Sequence, residues 1–159
     1  MFKIGDKLNI LYGGKYLIDL DDGVYSSAFD GGLRVFLDKY NRCIFIDCND
    51  ETKQCYGVSF YLSAFRYHKI EYNLPKCERR KLYYETTDKD GSIYTDFDIK
   101  CYVDMKNNLI LIGDISTEIK PICVFDDTYV VIDKNKLKLL IIRLDENIIE
   151  QIKINKLLI

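Results

Sequence analysis

The sequence predicts an all-β protein, a mostly antiparallel meander forming a sandwich or twisted barrel, with room for one short helix. Three observations carry that expectation. Short apolar runs alternate with turns of Asp, Asn, Lys and Gly along all 159 residues, and no segment has the periodicity of a long helix. Thirteen Tyr and eight Phe, with no Trp, supply side chains that fit a pleated, half-buried surface. Alanine, the strongest helix former, stands only at Ala28 and Ala64.

The elements follow in order. Asn9 to Tyr12 and Lys15 to Leu20 flank Gly13-Gly14, two residues that tolerate the positive φ of a tight hairpin. Asp21-Asp22-Gly23 and Asp30-Gly31-Gly32 read as turns around a short Val24-Tyr25 segment. Leu33 to Leu37 and Cys43 to Asp47 read as a hairpin joined by Asp38 to Asn41, and Asn49 to Lys53 as a polar connection. Val58 to Tyr67 alternates as a strand, though a short helix would also gather Phe60, Ala64 and Tyr67; strand is preferred. Lys81 to Thr86 is a strand, Asp88 to Gly91 a turn, and Ser92 to Tyr102 a long alternating strand with one wet face. Asp104 to Asn108 turns into Leu109 to Ile112. Cys123 to Phe125, Tyr129 to Ile132 and Leu137 to Leu144 continue the meander. The nearly continuous run at 137–144 marks it as the central core strand. Asn147 to Leu158 reads as a last strand pair or a C-terminal helix, with its β-branched content favouring strand.

The length fits one β domain over 1–159, with Pro75 as the candidate internal boundary and a tandem pair of small sheets meeting there as the alternative. The net charge of -2 gives no general attraction to phosphate backbones or anionic lipid, which disfavours nucleic acid as a partner. Lys76, Arg79, Arg80 and Lys81 form the densest basic cluster, read as a solvated turn or edge strand. The first residues lack the apolar core of a signal peptide, and no run is long enough to span a bilayer, so the expected location is the cytoplasm. The six cysteines are therefore expected as separate, reduced and mostly buried thiols.

The candidate sites are sparse. Asp88-Lys89-Asp90-Gly91 resembles the middle of a calcium loop, but Thr86 and Phe97 stand where its terminal carboxylates belong, so a hairpin turn explains it better. Cys43, Cys48 and Cys55, even with His68, supply the usual close pair of a zinc site only once, and Cys43 lies inside a strand-like run. His68 is the only histidine, and no nucleophile motif surrounds it. Asp96 and Asp98, with Tyr94 and Tyr102, project from one face of the predicted strand as an aromatic-acidic stripe, the expected binding residues. No phosphate-cradling loop is present. The reading assigns no cofactor and no metal. It expects a non-catalytic protein-binding module with a protein partner, inhibitor- or immunity-like. The alternatives are a small hydrolytic enzyme using Asp and His residues, for which Asp47, Asp96, Asp98 and His68 would have to cluster, and a structural assembly subunit.

Overall fold

The computed structural model describes residues 1–7, 16–19, 24–27, 32–38, 43–87, 91–95, 97–125 and 127–159; stretches 16–19, 24–27 and 91–94 are described by their backbone alone. The expected turns at 13–14, 21–23 and 88–90, and Asp96 itself, lie outside these residues.

The chain is mostly β, with antiparallel sheets curled like a half-barrel. The first sheet holds β1 (Phe2–Lys7), β2 (Tyr16–Asp19), β3 (Val24–Ser27), β4 (Leu33–Phe36), β5 (Ile44–Cys48), β6 (Gln54–Tyr61), β8 (Arg80–Tyr84) and β9 (Gly91–Tyr94). Its main order is β1-β8-β6-β5-β4-β9, with the β2–β3 hairpin on the far end of β6. The second sheet holds β7 (Tyr67–Lys69), β10 (Cys101–Asp104), β11 (Leu109–Gly113), β12 (Ile122–Phe125), β13 (Thr128–Asp133) and β14 (Lys136–Arg143), in the order β12-β13-β14-β11-β10-β7. Two pairings are parallel, β4 with β9 and β7 with β10. Each joins strands separated by other elements, as a parallel pair requires.

The main core lies between the sheets and draws on both, with Val35, Ile46, Val58 and Phe60 from the first and Val103, Ile110, Val130 and Leu140 from the second. Strand β14 sits between β13 and β11, and its continuous apolar run has a physical cause. Leu137, Leu140 and Ile142 face the main core, while Leu139 and Ile141 belong to a second cluster with Leu109, Leu111 and Val131. A strand covered on both faces has no wet side to mark with polar residues.

The second cluster is covered by an extended strap, residues 70–78, which carries Ile70, Tyr72 and Leu74 over it. Pro75 therefore lies in a segment that returns the chain from the second sheet to the first. The strands are exchanged between the sheets, with β7 in the second and β8 and β9 back in the first. The basic cluster does not form an edge either: β8 lies between β1 and β6, and the Arg80 Nε–H donates to the Gly5 carbonyl at 2.7 Å. Both ends of the second sheet are closed by chain segments, β12 by Arg79 and β7 by Leu158.

Three expectations change in detail. Val58 to Tyr67 begins as strand, but after Tyr61 it tightens into a 3-10 turn, Leu62–Ala64, and re-enters as β7. The run from Ser92 to Tyr102 is not one strand. It leaves the first sheet after β9 and joins the second at β10, because the Thr95 N–H goes to the Phe36 carbonyl while the Lys100 carbonyl takes the Gly113 N–H. The C-terminus is helix α1 (Glu146–Ile154), not a strand pair. Ile148, Ile149 and Ile152 share its buried face. Burying each side chain contributes about 1.5–3 kcal/mol, against a helix-propensity cost below about 0.7 kcal/mol per residue, so burial decides. Among the described residues no helix is long and apolar enough to cross a membrane.

Candidate functional site

A cleft of about 400 Å³ lies where the two sheets meet. One wall comes from β1 and β8. Phe2 and Tyr84 are cross-strand partners there, with rings edge to face at 4.9 Å. The opposite wall is the β13–β14 hairpin. Its turn residues Lys134 and Asn135 have φ of 50° and 63°, the pair of positive angles that a tight two-residue hairpin needs. That geometry turns the Asn135 carbonyl toward β1, where it accepts the Phe2 N–H at 3.1 Å and ties the sheets together.

The third wall is the crossover between β9 and β10, which contributes Thr95 and Phe97. Phe97 is held by a glycine. Gly113 has φ of 118°, and a Cβ there would come within 2.9 Å of Phe97 Cζ and collide with the Lys138 carbonyl. Leu137 adds an aliphatic patch, and the exposed Lys134 and Lys136 place two cations at the cleft. The Met1 ammonium also borders it and donates to the Glu85 carbonyl at 3.3 Å; partial burial pulls its pKa down, with Glu85 pulling the other way. Among the described residues, no lining side chain is a carboxylate, imidazole or thiol. The arrangement suits holding an apolar or aromatic group beside a negative charge.

The expected stripe is divided by the fold. Tyr94 ends β9 in the first sheet, where its backbone pairs with Phe36. Asp98 is exposed on the crossover next to Phe97, 3.6 Å from the Lys100 ammonium. Tyr102 is half-buried in the second sheet, packs on the cluster under the strap, and meets the exposed His68 ring at 5.8 Å. Burial still alternates from Phe97 to Cys101 as the sequence suggests, although no single strand presents these residues.

Asp47, Asp98 and His68 stand on β5, the crossover and β7. Asp47 is buried opposite Arg34, whose Nε lies 3.4 Å from its Oδ1 and whose guanidinium carbon sits 4.8 Å from the centre of the Phe45 ring. Among the described residues no group of three or more His, Cys, Asp or Glu is placed to hold a metal ion.

No disulfide links the six cysteines in this structure, and Cys48, Cys55, Cys101 and Cys123 are buried. They are not all separate, however. The sulfurs of Cys48 and Cys55 lie 3.1 Å apart. The sequence signal for this was present, since the two residues bracket the polar turn that joins β5 to β6. The cleft had no comparable signal, because its walls come from the chain start, the middle and residues 134–137.

Compared with known proteins, the chain matches no family model and no curated protein.

Proposed function

We propose that this chain is a cytoplasmic, non-catalytic protein-binding module of the inhibitor or immunity type, and that its partner docks at the cleft between the sheets. The observation that supports the reading is the cleft lining: Phe2, Tyr84, Phe97 and Leu137 beside Lys134 and Lys136. Aromatic anchors ringed by charge are the usual centre of a protein-binding surface. The fitting partner segment carries an apolar or aromatic side chain next to a carboxylate. Asp98, exposed on the crossover next to Phe97, would meet a basic group on the partner's rim.

The test is capture from native lysate followed by native mass spectrometry, using the wild type, Lys134→Glu/Lys136→Glu, and Lys120→Glu as a control for charge placed elsewhere. A heterologous protein held at fixed stoichiometry by the wild type and the control, but lost by the cleft variant, supports the reading. A partner retained equally by the cleft variant overturns the cleft assignment. A monomer that captures nothing overturns the binding-module reading itself.

A further inference from the structure

We propose that Cys48 and Cys55 are a covalent modification site: a cross-strand dithiol that closes to a disulfide when a low-molecular-weight disulfide, such as oxidised glutathione, reaches it. Three features converge on this pair. The sulfurs are 3.1 Å apart. The residues are opposed in the β5–β6 register, after a bulge that leaves Tyr56 unmatched. The neighbouring Asn49 N–H donates to the Gln54 carbonyl at 2.9 Å, so Cys48 and Cys55 form the non-hydrogen-bonded rung next to it. Opposed Cα atoms on such a rung approach to about 4.5 Å, within the range that a disulfide spans.

Cys77 directs its thiol to the Pro75 carbonyl and Cys123 to the Phe125 carbonyl, while the Cys43 carbonyl accepts the Tyr61 N–H at the far end of the β5–β6 ladder.

The chemistry balances. One protein thiol loses its proton and attacks the small disulfide, releasing one small thiol and leaving a mixed disulfide. The second thiol loses its proton and attacks the protein sulfur of that mixed disulfide, releasing the second small thiol. The protein pair is oxidised by two electrons and the small disulfide is reduced by two. Both cysteines are buried, and burial pushes the Cys55 thiol well up. The thiolate is therefore scarce in the closed hairpin, and the route in is opening of the adjoining turn, whose Asp50, Glu51 and Thr52 are exposed.

The experiment incubates the full chain with oxidised glutathione, then denatures it, alkylates it and measures the intact mass. The same buffer is also used during refolding from denaturant, so that restricted access cannot hide the site. Two of the six thiols should escape alkylation without a retained glutathione, and fragmentation should join Cys48 to Cys55. Closure in the folded protein or on refolding supports the proposal. Cys48→Ser and Cys55→Ser should each abolish the link. Six alkylated thiols in both arms, a stable glutathione adduct in place of the link, or a bond through another cysteine would overturn it.

Discussion

The backbone N–H of Tyr72 donates to the buried carboxylate of Asp104 at 2.9 Å, binding the strap to the β10–β11 turn across 32 residues of sequence. The same carboxylate accepts the N–H groups of Lys106 and Asn107 at 3.0 Å and the Asn107 side-chain amide at 2.7 Å. Burial alone would raise the Asp104 pKa, but these donors hold it below its ordinary value. Asp104→Asn should therefore cost about 2 kcal/mol at pH 6, the scale of a hydrogen bond to a charged group. The sign with pH follows from the lowered pKa. The extra stability is fully present above the ordinary carboxylate value and is lost as pH falls through the lowered one. Urea unfolding of wild type and variant should show the gap narrowing below about pH 4. A gap that stays constant to pH 2.5 would remove Asp104 as its source. Amide exchange at Tyr72 should quicken in the variant at pH 6.

Gly113 supports the cleft from below. Its φ of 118° is closed to side chains, and an added Cβ would meet the Lys138 carbonyl and the Phe97 ring. Gly113→Ala should destabilise by at least about 2 kcal/mol, combining backbone strain with overpacking. Chemical denaturation measures the loss. If Phe97 moves to relieve the clash, partner capture should weaken in the same variant under conditions where it remains folded.

Closing the Cys48–Cys55 pair should also stabilise the chain. The two residues are only seven positions apart, so the bond removes a modest amount of unfolded-state freedom, worth about 2–3 kcal/mol if no strain opposes it. For a chain of this size that is a rise in Tm of roughly 5–10 °C. Calorimetry of the oxidised protein with and without reductant reads it directly. An oxidised protein that melts at or below the reduced one would mean that the bond strains the hairpin.

Much of the fold was legible because it depends on local pattern. The turn at 104–108 and the core strand at 137–144 follow from polar residues punctuating apolar runs. What escaped depends on distant pairing. Asp104 reads as an ordinary turn residue, and nothing nearby tells that its second oxygen will anchor Tyr72. Residues 97–101 alternate in burial like a strand, yet they connect sheets instead of lying in one. The cleft gathers Phe2, Tyr84, Phe97 and Leu137 from four separate segments, so no short window contains it. The C-terminal helix was obscured by its isoleucines, whose local preference for strand yields to burial against the core.

The end of that helix stores a removable strain. After α1, Asn155 closes the helix and Lys156 takes φ of 56°, a left-handed conformation that side-chain-bearing residues adopt at a cost. The position is forced by a Schellman pattern: the Leu157 N–H donates to the Ile152 carbonyl at 2.9 Å, and the Lys156 N–H to that of Lys153 at 3.1 Å. The turn matters because it aims the last residues at β7, where the Leu157 carbonyl accepts the Tyr67 N–H and the Ile159 N–H returns to the Tyr67 carbonyl, both at 2.9 Å. Glycine carries no Cβ penalty in this conformation, and the exposed Lys156 side chain has no packing role to lose. Lys156→Gly relieves about 1 kcal/mol of strain, the lower end of the left-handed cost. The added freedom of glycine in the unfolded chain offsets a few tenths to about 1 kcal/mol of this, so the expected net gain is a few tenths of a kcal/mol. Lys156→Val, β-branched at the same φ, should lose stability instead. Urea midpoints for the two variants should fall on opposite sides of wild type, and equal midpoints would show that the cap does not limit the stability of this end.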